Sequence, residues 1–158
     1  HHEQRLYVVD RVPEGEHAPV ARATLDDVAQ LTEMQAGMLG EDLGIAREDL
    51  DLDILTRRVR EKVLTGTTWV VREQGRVVFA VSVGFRSPRG AQLGGTYVWP
   101  DDRGRGVATR AVRGVVRTLI GDGVARVTLH VHEANTPAVR CYVSAGFRPH
   151  APFRLMVL

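Results

Sequence analysis

In YVWPDDRGRGVATRAV, residues 97–112, a β-type run stops at Pro100, two glycines interrupt the chain at Gly104 and Gly106, and an apolar pattern of helical period begins at Val107. A strand feeding a glycine-containing loop that opens a helix is a physical recipe for an anion site. Glycine lets the backbone approach a ligand closely, the first helical N–H groups have no acceptor within the helix, and the helix dipole favours negative charge at that end. The expected ligand is a phosphate. Two common phosphate loops do not fit. Gly104-x-Gly106-x-x-Thr109 lacks the third glycine of the dinucleotide fingerprint, no acidic residue follows on a strand about 20 residues later, and no Gly-Lys-Ser/Thr is present for a nucleoside-triphosphate loop. The plain alternative is a strand-to-helix turn whose arginines face water.

Outward from this loop the pattern is regular. Residues 68–72, 77–85 and 92–99 alternate with period two and are joined by turns at Gln74-Gly75 and Ser87-Pro88-Arg89-Gly90, predicting a three-strand antiparallel meander. Downstream, a helix over 107–120 ends at Gly121-Asp122-Gly123, then come a strand over 124–132, a short helix over 136–145 stopped by Gly146, and a final strand over 153–158. Upstream, Thr24 with Asp27 three residues on resembles the start of a helix that runs towards Leu39, and Leu52, Leu55, Val59 and Val63 share one face of a second. Residues 20–23 read as a weak strand, and 6–9 as an apolar run followed by the polar stretch Pro13-Glu14-Gly15-Glu16. The order predicts one α/β (α+β) domain with a mixed, mostly antiparallel sheet flanked by helices. His1 and His2 read as a tag remnant, residues 1–16 as tag plus N-terminal strand and linker, and 17–158 as the domain.

The chain has 158 residues, 44% of them hydrophobic, enough for a single core without disulfides or metals. No stretch approaches the roughly 18 apolar residues of a membrane span, and no charged-then-apolar leader opens the sequence. The lone Cys141 cannot form an internal disulfide, and a cytoplasmic location is expected. The net charge of +2 hides a split: residues 1–60 hold 7 basic and 13 acidic side chains, a balance of −6, and residues 61–158 hold 14 and 6, a balance of +8. A basic half suits nucleic acid, an anionic membrane or an anionic small ligand, and charge alone does not choose. All the basic residues except Lys62 are Arg, as a GC-rich genome would give.

The stretch 97–112 resembles the pyrophosphate motif of the GCN5-related N-acetyltransferase (GNAT) superfamily, whose pattern Arg/Gln-x-x-Gly-x-Gly/Ala is met by Arg103, Gly106 and Ala108. A second, independent stretch, NTPAVRCYVSAGF over 135–147, is similar to that superfamily's downstream motif, in which an Asn opens a helix and a Tyr seven residues later faces the cofactor sulfur. More loosely, LGEDLGI (39–45) and GRVVFAVSVG (75–84) are similar to acetyltransferase domains that form the C-terminal part of two-domain bacterial proteins. The resemblance implies the GNAT fold, with a sheet splayed between two central strands, and acetyl-CoA as cosubstrate with no metal. It implies that Thr96, Tyr97 and Val98 line the pantetheine arm, with the Val98 amide facing the thioester carbonyl. The backbone of Gly104, Arg105, Gly106, Val107, Ala108 and Thr109 would hold the phosphates, with Arg103 and Arg105 as supplementary cations, and Asn135 would contact the cofactor arm. Tyr142 matches the family's general acid for the departing thiolate, with core packing as its plain alternative. Phe147 reads as core, and Cys141 as a small buried side chain.

The base departs from the family pattern. The strand position that carries a Glu in many members is Gly94 here, and the later position used by a subgroup resembling the acetyltransferases of ribosomal-protein N-termini is His130. An imidazole is a suitable base near neutrality, directly or through water, with a structural strand histidine as its alternative. Glu41, Asp42 and Glu133 are further candidates that also read as solvated acids. Absence of a strand carboxylate equally suits an acceptor of low pKa, such as an arylamine, hydroxylamine or hydrazine. A zinc site at His130 and His132, with Cys141 or His150, has weak spacing. The expected activity is N-acetylation of a small-molecule or peptide amine, with a catalytically silent acyl-CoA sensor as the rival reading. Neither nucleic acid nor membrane is expected as partner, the +8 half being matched to the CoA phosphates and the −6 half to a cationic amine. The final strand offers an edge through which two copies could pair.

Overall fold

The computed structural model describes residues 3–154; the two leading histidines and the last four residues of the expected final strand lie outside the described residues. In chain order the elements are β1 (Glu3–Val9), β2 (Ala21–Arg22), α1 (Val28–Leu43), α2 (Leu52–Leu64), β3 (Thr68–Glu73), β4 (Arg76–Ser87), β5 (Gly90–Val98), α3 (Val107–Gly121), β6 (Val127–His132), α4 (Thr136–Ser144) and β7 (Arg148–Arg154). The strands form one seven-stranded sheet in the order β2-β3-β4-β5-β6-β1-β7. Neighbours are antiparallel except β5 and β6, which run parallel and pair only at Ala91↔Val127 and Gln92↔Thr128. Beyond those two rungs the strands diverge, which is the splayed sheet expected from the sequence.

Period-two alternation sorts the side chains into two cores. Val70, Val77 and Tyr97 face α1 and α2, where Leu31, Met34, Val59 and Val63 close over them. Their neighbours Val71, Val78 and Val98 face the other way, onto Val112, Val115, Val116 and Leu119 of α3 with Tyr142 and Phe147. β3 and β4 are thus covered on both faces, by α1 and α2 on one side and α3 on the other. Among the described residues no helix is long and apolar enough to cross a membrane.

Several boundaries differ from the sequence reading: β7 begins at Arg148, five residues before the expected start of the final strand, and α1 runs on to Leu43. β6 begins at Val127, because Val124 donates its N–H to the Leu119 carbonyl and completes the end of α3 before the strand starts. The larger difference is β1. Set apart above as strand and linker, it lies inside the sheet, antiparallel to β6 from Gln4↔His132 to Val9↔Val127 and to β7 on its other side. Tyr7, Val8 and Val9 are buried in the core. The stretch that follows is strapped to α3, with the Ala18 N–H bonded to the Arg110 carbonyl at 2.9 Å and Arg113 Nη1 to the Glu16 carbonyl at 3.1 Å. Local composition shows a linker there because these ties run through backbone atoms.

Candidate active site

The divergence of β5 from β6 opens a cleft of about 1030 Å³. One wall is the end of β5, where a bulge interrupts the pairing with β4: Val81 faces Thr96 and Val83 faces Leu93, so Gly94 and Gly95 share the place of one residue. A pair of glycines inside a strand is the sequence signal for such a bulge, which re-aims the residues that follow. Thr96, Tyr97 and Val98 line the cleft directly after it.

The floor is the loop before α3. Gly104 (φ 83°) and Gly106 (φ 75°) take left-handed backbone conformations that favour glycine, and Gly106 is the N-cap of α3 without a side-chain capping bond. The first turn of α3 carries no acidic residue. Gly104, Gly106, Val107, Ala108 and Thr109 line the cleft with Arg103. Arg105, expected as a second cation beside the phosphates, does not line it. Its guanidinium is turned to Asp102 at 3.1 Å and Glu73 at 3.5 Å, and Asp102 also binds Arg76 at 2.6 Å. Bonding to Arg76 holds the Asp102 carboxyl below the usual carboxylate range, with Arg105 adding to the effect.

From the opposite side α4 brings Asn135, Ala138, Cys141 and Tyr142. The Asn135 side chain accepts from the Ala138 N–H at 3.3 Å and is the N-cap of α4. Tyr142 is buried at 8% exposure, its ring edge-on to Phe147, and its hydroxyl meets Thr96 Oγ1 at 2.9 Å across the splay. Burial pushes the Tyr142 phenol up, against a smaller opposing effect of the Thr96 bond. Burial likewise pushes the Cys141 thiol up, so it stays a thiol near neutrality.

His130 and His132 line the cleft on β6. Their rings meet different neighbours, His130 Nδ1 with Gln92 Nε2 at 3.1 Å and His132 Nε2 with Gln4 Nε2 at 3.2 Å. Among the described residues no group of three or more His, Cys, Asp and Glu comes together to hold a metal ion. The far rim is the end of α1, with Met38, Glu41, Asp42 and Leu43. Sequence reading did not find the roles of Thr96 Oγ1, Gln92 or Gln4, each of which depends on contact between distant segments.

Apart from Gln4 of β1, the residues that line the cleft fall within 29–147, the span matched by the model of the acetyltransferase (GNAT) family. Among solved structures the chain is similar to an acetyltransferase of the GNAT family from Colwellia psychrerythraea (TM-score 0.75, 14% identity, 96% of this chain and 54% of that one). It is also similar to a protein from Novosphingobium aromaticivorans assigned to the same family (0.67, 25%, 96% and 61%). A third similar structure is a protein from Salmonella typhimurium assigned as an acetyltransferase, solved with its cofactor acetyl-CoA (0.63, 21%, 82% and 78%). The chain thus spans little more than half the length of the first two. No curated protein matches it in sequence.

Proposed function

The chain belongs to the acetyltransferase (GNAT) family, and from that premise we propose that it moves an acetyl group from acetyl-CoA to an amine of a small molecule or peptide by direct attack in a ternary complex. The observation that carries the reading is the buried Tyr142 hydroxyl, hydrogen-bonded to Thr96 in the gap between β5 and β6. In this reading the pantetheine arm lies beside Thr96, Tyr97 and Val98, and the pyrophosphate rests on the amides of Gly104 to Thr109 at the start of α3, with Asn135 beside the arm. The amine nitrogen attacks the thioester carbonyl, the C–N bond forms, and the Val98 N–H steadies the oxyanion. As the C–S bond breaks, Tyr142 gives its proton to the thiolate. A phenol held protonated by burial is available for this throughout the neutral range. His130 takes the proton that the amine must lose, directly or through water. Cys141 has no part, because direct transfer needs no protein nucleophile.

The test is Tyr142→Phe, assayed by release of free CoA against a panel of alkylamines, arylamines and peptides. Turnover is expected to fall by about 10²-fold or more, with acetyl-CoA affinity within twofold of the parent in a calorimetric titration. Unchanged turnover removes Tyr142 from the chemistry. The sensor reading has no use for a phenol at this point and predicts no turnover from the parent.

A further inference from the structure

The family motif gives Arg103 a place beside phosphate, yet its donors point elsewhere. Nε donates to the Val98 carbonyl at 3.0 Å, Nη1 and Nη2 bind the two carboxylate oxygens of Glu41 at 2.8 and 2.9 Å, and the guanidinium lies 5.3 Å from the Tyr97 ring centre. A two-pronged Arg–carboxylate pair has a fixed geometry, unlike a point-charge contact. Tyr97 extends the same chain of contacts. Its hydroxyl sits so close to α1 that a Cβ at Gly37 would stand 2.5 Å from it. The end of the cleft strand, the phosphate loop and the last two turns of α1 are therefore tied in a ring through Arg103, Glu41, Gly37 and Tyr97.

α1 needs such a tie. Its last turn carries Glu41 and Asp42 at the end where the helix dipole is already negative, and holds no basic residue of its own. Leu43 is 67% exposed, so apolar burial does little to hold that turn. The cation that offsets the charge comes from another segment, the loop after β5.

We propose that the Arg103–Glu41 pair acts as a strut that fixes the last turn of α1 over the cleft and so sets the mouth through which the acceptor amine enters. Arg103 is thus a positioning residue for the acceptor, and the cofactor's phosphates are held by loop amides. The inference rests on the acetyl-transfer reading above for what enters the mouth, while the strut itself is readable without turnover.

Glu41→Gln and Arg103→Gln are compared with the parent by hydrogen exchange at the Leu43 and Gly44 amides, by acetyl-CoA titration, and by kinetics with the amine that the CoA-release panel yields. Both variants are expected to speed exchange of those amides by about tenfold, keep the acetyl-CoA dissociation constant within twofold, and raise the amine KM by about tenfold. The reversed pair, Glu41→Arg with Arg103→Glu, is expected to restore slow exchange. Unchanged exchange in both variants overturns the strut. So does a loss of acetyl-CoA affinity in Arg103→Gln with the amine KM unmoved, which would make Arg103 a phosphate ligand. If the parent acetylates no amine, the transfer reading fails, and the exchange data still decide the strut.

Discussion

Gln92 Nε2 lies 3.1 Å from His130 Nδ1, and the imidazole tautomer decides which partner donates. A His130 that receives a proton at Nε2 carries its ring proton on Nδ1, where the Gln92 carboxamide oxygen is the matching acceptor. A base makes rate fall on the acid side, and His130→Ala is expected to flatten that limb of the pH–rate profile. Gln92→Glu fixes Nδ1–H against a carboxylate and favours the imidazolium, so its acid limb is expected at higher pH than the parent's. Profiles of the parent and His130→Ala that superimpose would take His130 out of the mechanism. Legibility at this scale followed the range of the contact. Gly104, Gly106 and Tyr142 sit in motifs that are contiguous in sequence, and all three line the cleft. Thr96 and Tyr142 meet across 46 positions and Gln92 and His130 across 38, separations at which neither partner marks the other. Arg105 is legible as a cation; its partners are Asp102, three positions earlier in the same loop, and Glu73 of β3, and only the second is hidden by sequence distance.

At the scale of elements, the start of α1 shows how a local signal gains a distant partner. The Thr24 N–H bonds to Asp27 Oδ2 at 2.7 Å, as the spacing of the two residues predicted, and Asp27 is also paired with Arg72 of β3. Burial pushes the Asp27 carboxyl up, but its bonds to Arg72 and Thr24 together outweigh that and hold it below the ordinary value. The sign of the pH effect follows. With the folded-state pKa depressed, the unfolded chain takes up this proton first as pH falls, so the stabilisation is full at neutrality and is lost from about pH 4 downward. Asp27→Asn is expected to cost about 2 kcal/mol at pH 7, measured by urea unfolding, with the gap to the parent shrinking on acidification. A gap that stays constant between pH 7 and pH 3 would assign the effect to something other than this carboxylate. Helices and meander strands were legible because their periodicities are local and strong. The bulge at Gly94-Gly95 has its sequence signal in the glycine pair, of which Gly94 alone bears on the missing carboxylate.

On the scale of the whole molecule, the opposed charges of the two halves do not form separate fields. They are stitched together: Arg103 to Glu41, Arg72 to Asp27 and Arg148 to Asp10 each join the basic part to the acidic part. Segment sums miss this because sequence distance is not spatial distance. The same holds for β1, whose neighbours lie at the other end of the chain. Burying Tyr7, Val8 and Val9 contributes roughly 1.5 to 3 kcal/mol each, together comparable to the ~5 to 15 kcal/mol that holds a domain folded. β7 has β1 as its sheet partner, so it would lose its place as well. A protein lacking residues 1–10 is accordingly expected to show no cooperative thermal transition by circular dichroism. A transition at the parent's temperature would mean that β1 adds nothing to the domain.

The threading of β1 also dictates an order of events. Gln4 and His132 are separated by 128 positions, and closing a loop of that length brings an entropic cost before any contact rewards it. The meander of β3, β4 and β5, paired between sequence neighbours, has no such delay. Assembly should therefore start on the meander side of the cleft and finish on the β6-β1-β7 side. Two half-sheets of different age then meet along the two rungs that join β5 to β6, and the cleft lies on that seam.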